Sequence, residues 1–194
     1  MNAAMRDYYN QRAAEYDDWW LGTGLFADRD RPGWDEDRAA LIAALQTVQP
    51  RRTLDLACGT GFLTQHLPGE VTGVDQSARM VARAKGRGVH AVVGNALVLP
   101  PVAYDRIFTA HFYGHLDAAQ RAELLAIPTS ELIVVDSAGG PREAWQERTL
   151  NDGSTHSVFK RWFSAESLAA ELGGETTVLH DGPWFVAVSS TGRA

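Results

Sequence analysis

Residues 54–62 read Leu-Asp-Leu-Ala-Cys-Gly-Thr-Gly-Phe, LDLACGTGF. A short apolar run carries one carboxylate, Asp55, and ends in a turn where Gly59 and Gly61 bracket Thr60. A carboxylate inside an apolar strand is costly unless something pairs with it. Two glycines just beyond the strand let the backbone come close to a ligand. The stretch therefore reads as a strand leading into a glycine turn. Its fold and its chemistry depend on what Asp55 faces.

Working outward, the same rhythm repeats. TLDLA, EVTGVD, VHAVVGN, YDRIFTAH and ELIVVDS are short β-rich runs. Between them lie helical segments: GFLTQHL, SARMVARAKG capped by Ser77, and a helix from about Asp117 to Ala126. Strands alternating with helices predict an α/β, Rossmann-like doubly wound sheet with helices on both faces and right-handed crossovers. Upstream, residues 3–20 have helical spacing and many aromatics. Asp35 is the expected cap of a helix running to about Val48, with Pro50 stopping it.

After Ser137 the rhythm breaks. Asn151-Asp152-Gly153 marks a hairpin between two strand-like arms. Ser164 caps a helix that ends in glycine, and Ser167 at its third position makes the capping box look incomplete. TTVLHDGPWFVAVSS reads as a closing hairpin on the sheet edge, which predicts seven strands with an antiparallel last strand.

Composition narrows the function. With 18 Lys and Arg against 24 Asp and Glu the net charge is −6, so nucleic acid is a poor partner. No apolar run reaches membrane-spanning length, and the opening MNAAMRDYYNQR lacks a signal-peptide core. Cys58 is the single cysteine, so neither an intrachain disulfide nor a cysteine metal cluster is expected. These features predict a cytoplasmic protein, a monomer or homodimer, with no metal.

In a doubly wound sheet, ligands sit beyond the carboxyl ends of the strands. A dinucleotide turn needs a third glycine where this chain has Thr64, and Asp55 would repel a pyrophosphate. A nicotinamide-dependent oxidoreductase is thus the weaker alternative. Asp55 suits a cationic amine instead. Asp75, ending the second strand about 20 residues on, is placed to accept hydrogen bonds from ribose hydroxyls. Its other reading is a helix cap.

LDLACGTGFLTQHL, VTGVDQSARMVARAK, VVGNALVLP and YDRIFTAHFYGHLD resemble successive motifs of the class I S-adenosylmethionine-dependent methyltransferases. RWFSAESLAAELG and YYNQRAAEYDDWW resemble parts of their small-molecule branch. The resemblance implies methyl transfer from S-adenosylmethionine to a small organic acceptor. It implies one domain: a helical cap over 1–50, a cofactor-binding core over 51–136, an insertion near the acceptor over 137–163, and a C-terminal helix and hairpin over 164–194. A protein that binds the cofactor without methyl transfer fits the same motifs.

The implied cofactor-binding residues are Tyr16, Asp55, Ala57, Cys58, Gly59, Gly61, Asp75, Gln76, Met80, Asn95, Ala96 and His111. Tyr16 would reach the methionine carboxylate. Asn95 stands where the family usually has Asp and can still bond the adenine amino group. Met80 would pack on the adenine or ribose, or belong to the core. For the acceptor, the candidates are Trp19, Trp20, Tyr113, His115 and Arg161, with Trp34 as further apolar wall. The insertion around Arg148, Lys160, Arg161 and Trp162 is the expected opposite wall, where Lys160 and Arg161 suit an anionic acceptor or form a solvated basic edge. His111 is the candidate base. His156 and Asp136 are lesser candidates near the acceptor.

Overall fold

The computed structural model describes residues 3–98 and 103–193. The end of the VVGNALVLP motif, residues 99–100, lies outside them. The strands are β1 (Thr53–Leu56), β2 (Val71–Asp75), β3 (His90–Val93), β4 (Arg106–Ala110), β5 (Glu131–Ser137), β6 (Glu143–Thr149), β7 (Thr155–Arg161), β8 (Glu175–Asp181) and β9 (Phe185–Thr191). The helices are α1 (Ala3–Arg12), α2 (Asp18–Leu21), α3 (Trp34–Gln46), α4 (Ala78–Gly86), α5 (Ala118–Leu125) and α6 (Ala165–Leu172).

Seven strands form one sheet in the order β3-β2-β1-β4-β5-β9-β8. β1 to β5 pair in parallel, and β9 runs antiparallel to both β5 and β8. The chain steps from β1 outward to β3, then returns to β4 on the other side of β1. That reversal leaves a crevice at the carboxyl ends of β1 and β4, where such sheets bind ligands.

The central strands are buried on both faces, which is why they read as near-continuous apolar runs. Leu54, Leu56, Ile107 and Val134 pack on Leu168 and Leu172 of α6. Phe108, Ile133, Val135 and Phe185 pack on Leu41 and Leu45 of α3 and on Trp20 and Trp34. Burying a leucine fully contributes about 1.5–3 kcal/mol, so each face holds its helices mainly by apolar area. β6 and β7 form a separate two-stranded ribbon. Among the described residues, no helix is long and apolar enough to cross a membrane.

Four local expectations are corrected. Residues 3–20 are not one helix: α1 ends at Arg12, and Asp17 is drawn to the glycine turn, accepting from Thr60 Oγ1 at 2.6 Å and Arg87 Nη2 at 2.5 Å. GFLTQHL forms only a 3-10 turn over Thr64–His66, because Leu67 precedes Pro68 and is held extended. Gly33, with φ 74°, takes the cap position of α3, and Asp35 falls in its first turn without a capping bond. There its charge still favours the helix dipole. The box at Ser164 is complete: the Ser167 N–H donates to Ser164 Oγ, and the Ser164 N–H donates to Ser167 Oγ at 2.9 Å.

Candidate functional site

Two cavities meet beyond the carboxyl ends of β1, β2 and β4. The first is floored by Ala57 and Gly59 and walled by Asp75, Gln76, Met80, Asn95 and Ala96. The second, of about 570 Å³, lies between α1, the β6–β7 ribbon and a tryptophan wall of Trp19, Trp34, Trp162 and Trp184. Tyr9, Tyr16 and His111 border both. A side cavity reaches down to Asp55 and Thr64, sharing Tyr16, Ala57 and His111 with the first.

The backbone is strained at this junction. Among the described residues, the non-glycine residues with positive φ are Ala57 (61°) and His111 (52°). They follow β1 and β4, which are neighbours in the sheet. Such conformations cost about 1–3 kcal/mol each and cluster at functional sites. Gly59, with φ 55°, continues the turn from Ala57.

Asp75 ends β2 and organises the turn. Its Oδ2 accepts the Gly59 N–H at 3.0 Å and its Oδ1 the Ser77 N–H at 2.8 Å. Each oxygen keeps a further lone pair. Asp55 lies deeper: Oδ2 accepts from Thr64 Oγ1 at 2.5 Å, while Oδ1 is buried without a partner. Burial pushes its pKa up to about 8, against the Thr64 hydrogen bond.

His111 is buried, and its Nε2 has no partner. Its Nδ1 lies 3.3 Å from Ser137 Oγ. Burial, then the Lys160 charge, lowers its pKa to about 3, with Asp136 opposing. The ring is therefore neutral at ordinary pH. Burial pushes the Tyr16 hydroxyl above its usual value, leaving it a proton donor there.

The structure gathers Tyr16, Ala57, Gly59, Asp75, Gln76, Met80, Asn95, Ala96 and His111 around the first cavity. Asn95 Oδ1 already accepts the Leu97 N–H at 3.1 Å. Cys58 and Gly61 do not line it. Cys58 packs beneath the turn against Gly73, where an added Cβ would lie 2.7 Å from Sγ. Gly61 packs against Ala84 and Val89.

On the acceptor side, Trp19, Trp34, His115 and Lys160 line the second cavity. His115 is pinned, its Nδ1–H donating to the Phe159 carbonyl. Trp20, Tyr113 and Arg161 do not line it. Trp20 is buried and stacks on Phe62 with ring centroids 4.7 Å apart. The Tyr113 hydroxyl donates to Glu171 Oε1 at 3.1 Å, and Arg161 donates to both oxygens of Glu171 at 3.0 and 3.2 Å. Asp136 is buried and engaged by Lys160 Nζ, the Gly114 N–H and the Ser137 N–H. His156 packs on the Tyr8 ring at 4.8 Å instead of entering the cavity. Sequence reasoning missed Tyr9 and Arg12 as site residues. Arg148, expected in the wall opposite the tryptophans, lines the cavity together with Gln146 on the same face of β6.

A doubly wound sheet with a glycine turn, a carboxylate ending β2 and a cavity above both defines a class of nucleoside-binding α/β domains. A family profile described as a methyltransferase domain matches residues 53–128. Trans-aconitate 2-methyltransferase of Mycolicibacterium gilvum is 42% identical over 76 residues, covering 36% of this chain and 28% of that protein. The Rhodopseudomonas palustris enzyme of the same name is 35% identical over 106 residues, covering 48% of this chain and 40% of that one. The chain thus aligns with less than half the length of each. A structure described as a DhpI-SAM-HEP complex is 26% identical with a TM-score of 0.73, covering 96% of this chain and 95% of that one. The DhpI-SAH complex gives 0.72 at 26% identity, covering 95% and 93%. Residues 53–128 thus carry a methyltransferase-family domain, and nearly the whole chain shares the fold of structures solved with S-adenosylmethionine or S-adenosylhomocysteine.

Proposed function

We propose that this protein transfers the methyl group of S-adenosylmethionine to a small organic acceptor, mainly by holding donor and acceptor in line. The observation that carries this reading is the junction at Tyr9, Tyr16 and His111, residues that border both the cleft above the glycine turn and a second cavity. The cofactor would supply an electrophilic methyl on a sulfonium.

The residues fit that group. Asp55 has a buried, unpartnered Oδ1, the kind of acceptor a cationic amine satisfies. Asp75 keeps lone pairs for ribose hydroxyls, and Met80 with Ala96 offers an apolar surface for a base. Asn95 would bond the adenine amino group, Gln76 would flank the ribose, and the Tyr16 hydroxyl would donate to the methionine carboxylate. His111 would touch cofactor or acceptor through Nε2. With its pKa near 3 it is a poor base, so its role is contact and orientation. Residues 1–50 would cap the cleft, and residues 137–163 would wall the acceptor cavity. The acidic composition and single cysteine support action in the cytoplasm.

Calorimetric titration with S-adenosylmethionine and S-adenosylhomocysteine tests the reading. Micromolar binding of either supports it. A folded protein that binds neither refutes it. A labelled-methyl assay then separates transfer from binding alone.

A further inference from the structure

The second cavity holds more positive than negative charge. Arg12, Arg29, Arg31, Arg148 and Lys160 line it, against Glu15, Asp30 and Glu147. Several of these cations are already occupied. Lys160 is bound to Asp136. Arg31 lies 3.9 Å above the Trp34 ring and donates to the Trp19 carbonyl. Arg29 lies over Phe26.

Arg12 and Arg148 differ. Neither makes an ion pair with a carboxylate among the described residues. Arg12 is only 8% exposed, and it meets the Tyr8 hydroxyl at 2.8 Å and the faces of Tyr8 and Tyr16. Arg148 donates to the amide oxygen of Gln146 at 3.1 Å. A buried guanidinium without an anion is an expensive arrangement for stability alone. Both arginines also act electrostatically on Tyr9, Tyr16 and His111, the residues that border both cavities. Both line the second cavity, whose passage to the first is bordered by Tyr9, Tyr16 and His111.

We infer that the acceptor is a small acid whose oxyanion, a carboxylate or a phosphorus oxyacid, is held by Arg12 and Arg148 at this passage and is itself the atom methylated. The inference rests on the methyltransferase reading above. The acceptor's anionic oxygen forms the new O–C bond as the S–C bond breaks, and the electron pair stays on sulfur. The products are a methyl ester and S-adenosylhomocysteine. No proton is removed, which suits a junction where Asp136 is fully engaged and His111 is a poor base. The guanidinium fork matches an oxyanion geometrically. One arginine comes from α1 and the other from the ribbon, so the anion would bridge the two elements.

The test begins with S-adenosylhomocysteine titration of the full chain. If that fails, the methyltransferase reading falls, whatever happens to the acceptor. The saturated protein is then titrated with trans-aconitate and with methylphosphonate, which distinguishes the two kinds of oxyanion. Their fully esterified, uncharged counterparts serve as controls. At least one acid is expected to bind at least tenfold tighter than its neutral ester. Arg148→Gln is expected to weaken that acid at least tenfold, with S-adenosylhomocysteine affinity unchanged within twofold. Arg12→Gln should weaken the acid likewise, and Arg148→Gln carries the test if Arg12→Gln does not fold or if its contact with Tyr16 alters S-adenosylhomocysteine binding. Equal binding of acid and ester overturns the inference. So does wild-type acid affinity in Arg148→Gln, or no acid binding by protein that binds S-adenosylhomocysteine. In the assay with labelled methyl, the product is expected to lose one negative charge on anion exchange. A product keeping its parent's full charge overturns the ester assignment.

Discussion

His111 Nδ1 stands 3.8 Å from Asp136 Oδ1, the same oxygen that Lys160 Nζ holds. The carboxylate is thus matched by an ammonium before the imidazole can use it. Burial and Lys160 both lower the His111 pKa, and Asp136 alone does not offset them. Replacing Lys160 with Met removes the competing cation and leaves Asp136 to the ring. The His111 pKa is expected to rise from about 3 toward the ordinary histidine range, as read by NMR titration. The same change breaks a buried pair, so stability should fall by about 3–5 kcal/mol in denaturant melts. Asp136→Asn combined with Lys160→Met should cost less than the sum of the two. An unmoved His111 titration in a folded Lys160→Met variant would refute the electrostatic account.

Asp55 makes a prediction with the opposite sign from most carboxylates. Burial raises its folded-state pKa from 3.8 to about 8. The folded state therefore binds this proton more tightly than the unfolded chain. The contribution to stability is complete below pH 3.8 and is lost as pH rises through about 8. Asp55→Asn keeps the shape and removes the titration. Its melting temperature should match wild type near pH 4 and exceed it near pH 9, by about 2–4 °C for each kcal/mol relieved. It should also bind S-adenosylhomocysteine more weakly, since the carboxylate is proposed to hold the amine. In wild type, that affinity should increase between pH 5 and 8, with protons released on binding. Melting curves that differ equally at both pH values would show that Asp55 does not titrate as described.

The alternation of strands and helices and the glycine turn after β1 were legible because each depends on short runs of adjacent residues. Side-chain direction was harder to read. Lys160 and Arg161 look alike as a pair, yet successive strand residues face opposite sides. Lys160 enters the cavity region, and Arg161 turns to Glu171. Trp19 and Trp20 separate for the same kind of reason on a helix. Tyr113 was misplaced because His111, at positive φ, turns the chain out of strand geometry and sends the following residues into the core. Arg12 and Arg148 are 136 positions apart, so only the folded chain brings them to one cavity.

Gly61 and Leu45 separate turn geometry from core packing. Gly61 has φ 75°, and an added Cβ would lie 3.1 Å from Val89 Cγ2 and 3.2 Å from Ala84 Cβ. Gly61→Ala should cost about 1–2 kcal/mol for the left-handed backbone alone, with crowding in addition. Leu45→Ala, in the face of α3 buried against the sheet, should cost about 2–5 kcal/mol. Urea unfolding measures both. Because Leu45 is remote from the first cavity, folded Leu45→Ala should bind S-adenosylhomocysteine normally. A weakened Leu45→Ala would mean that the site is coupled to the packing of α3.

Asp75 has two duties, and one substitution can separate them only with the right ligands. Its oxygens anchor the Gly59 and Ser77 N–H groups, and their remaining lone pairs are proposed to hold ribose hydroxyls. Asp75→Ala should weaken S-adenosylhomocysteine binding by about 1.5–3 kcal/mol, the range for hydrogen bonds to a charged group. Adenosine should lose a similar amount. The informative ligand is 2′,3′-dideoxyadenosine, which lacks the ribose hydroxyls. If Asp75 acts through them, the substitution should barely change its affinity, although wild-type binding is weak. If Asp75 acts by holding the turn, dideoxyadenosine should lose as much as adenosine does. Calorimetry or competition against S-adenosylhomocysteine reads the difference, and equal losses for the two nucleosides would remove the ribose role.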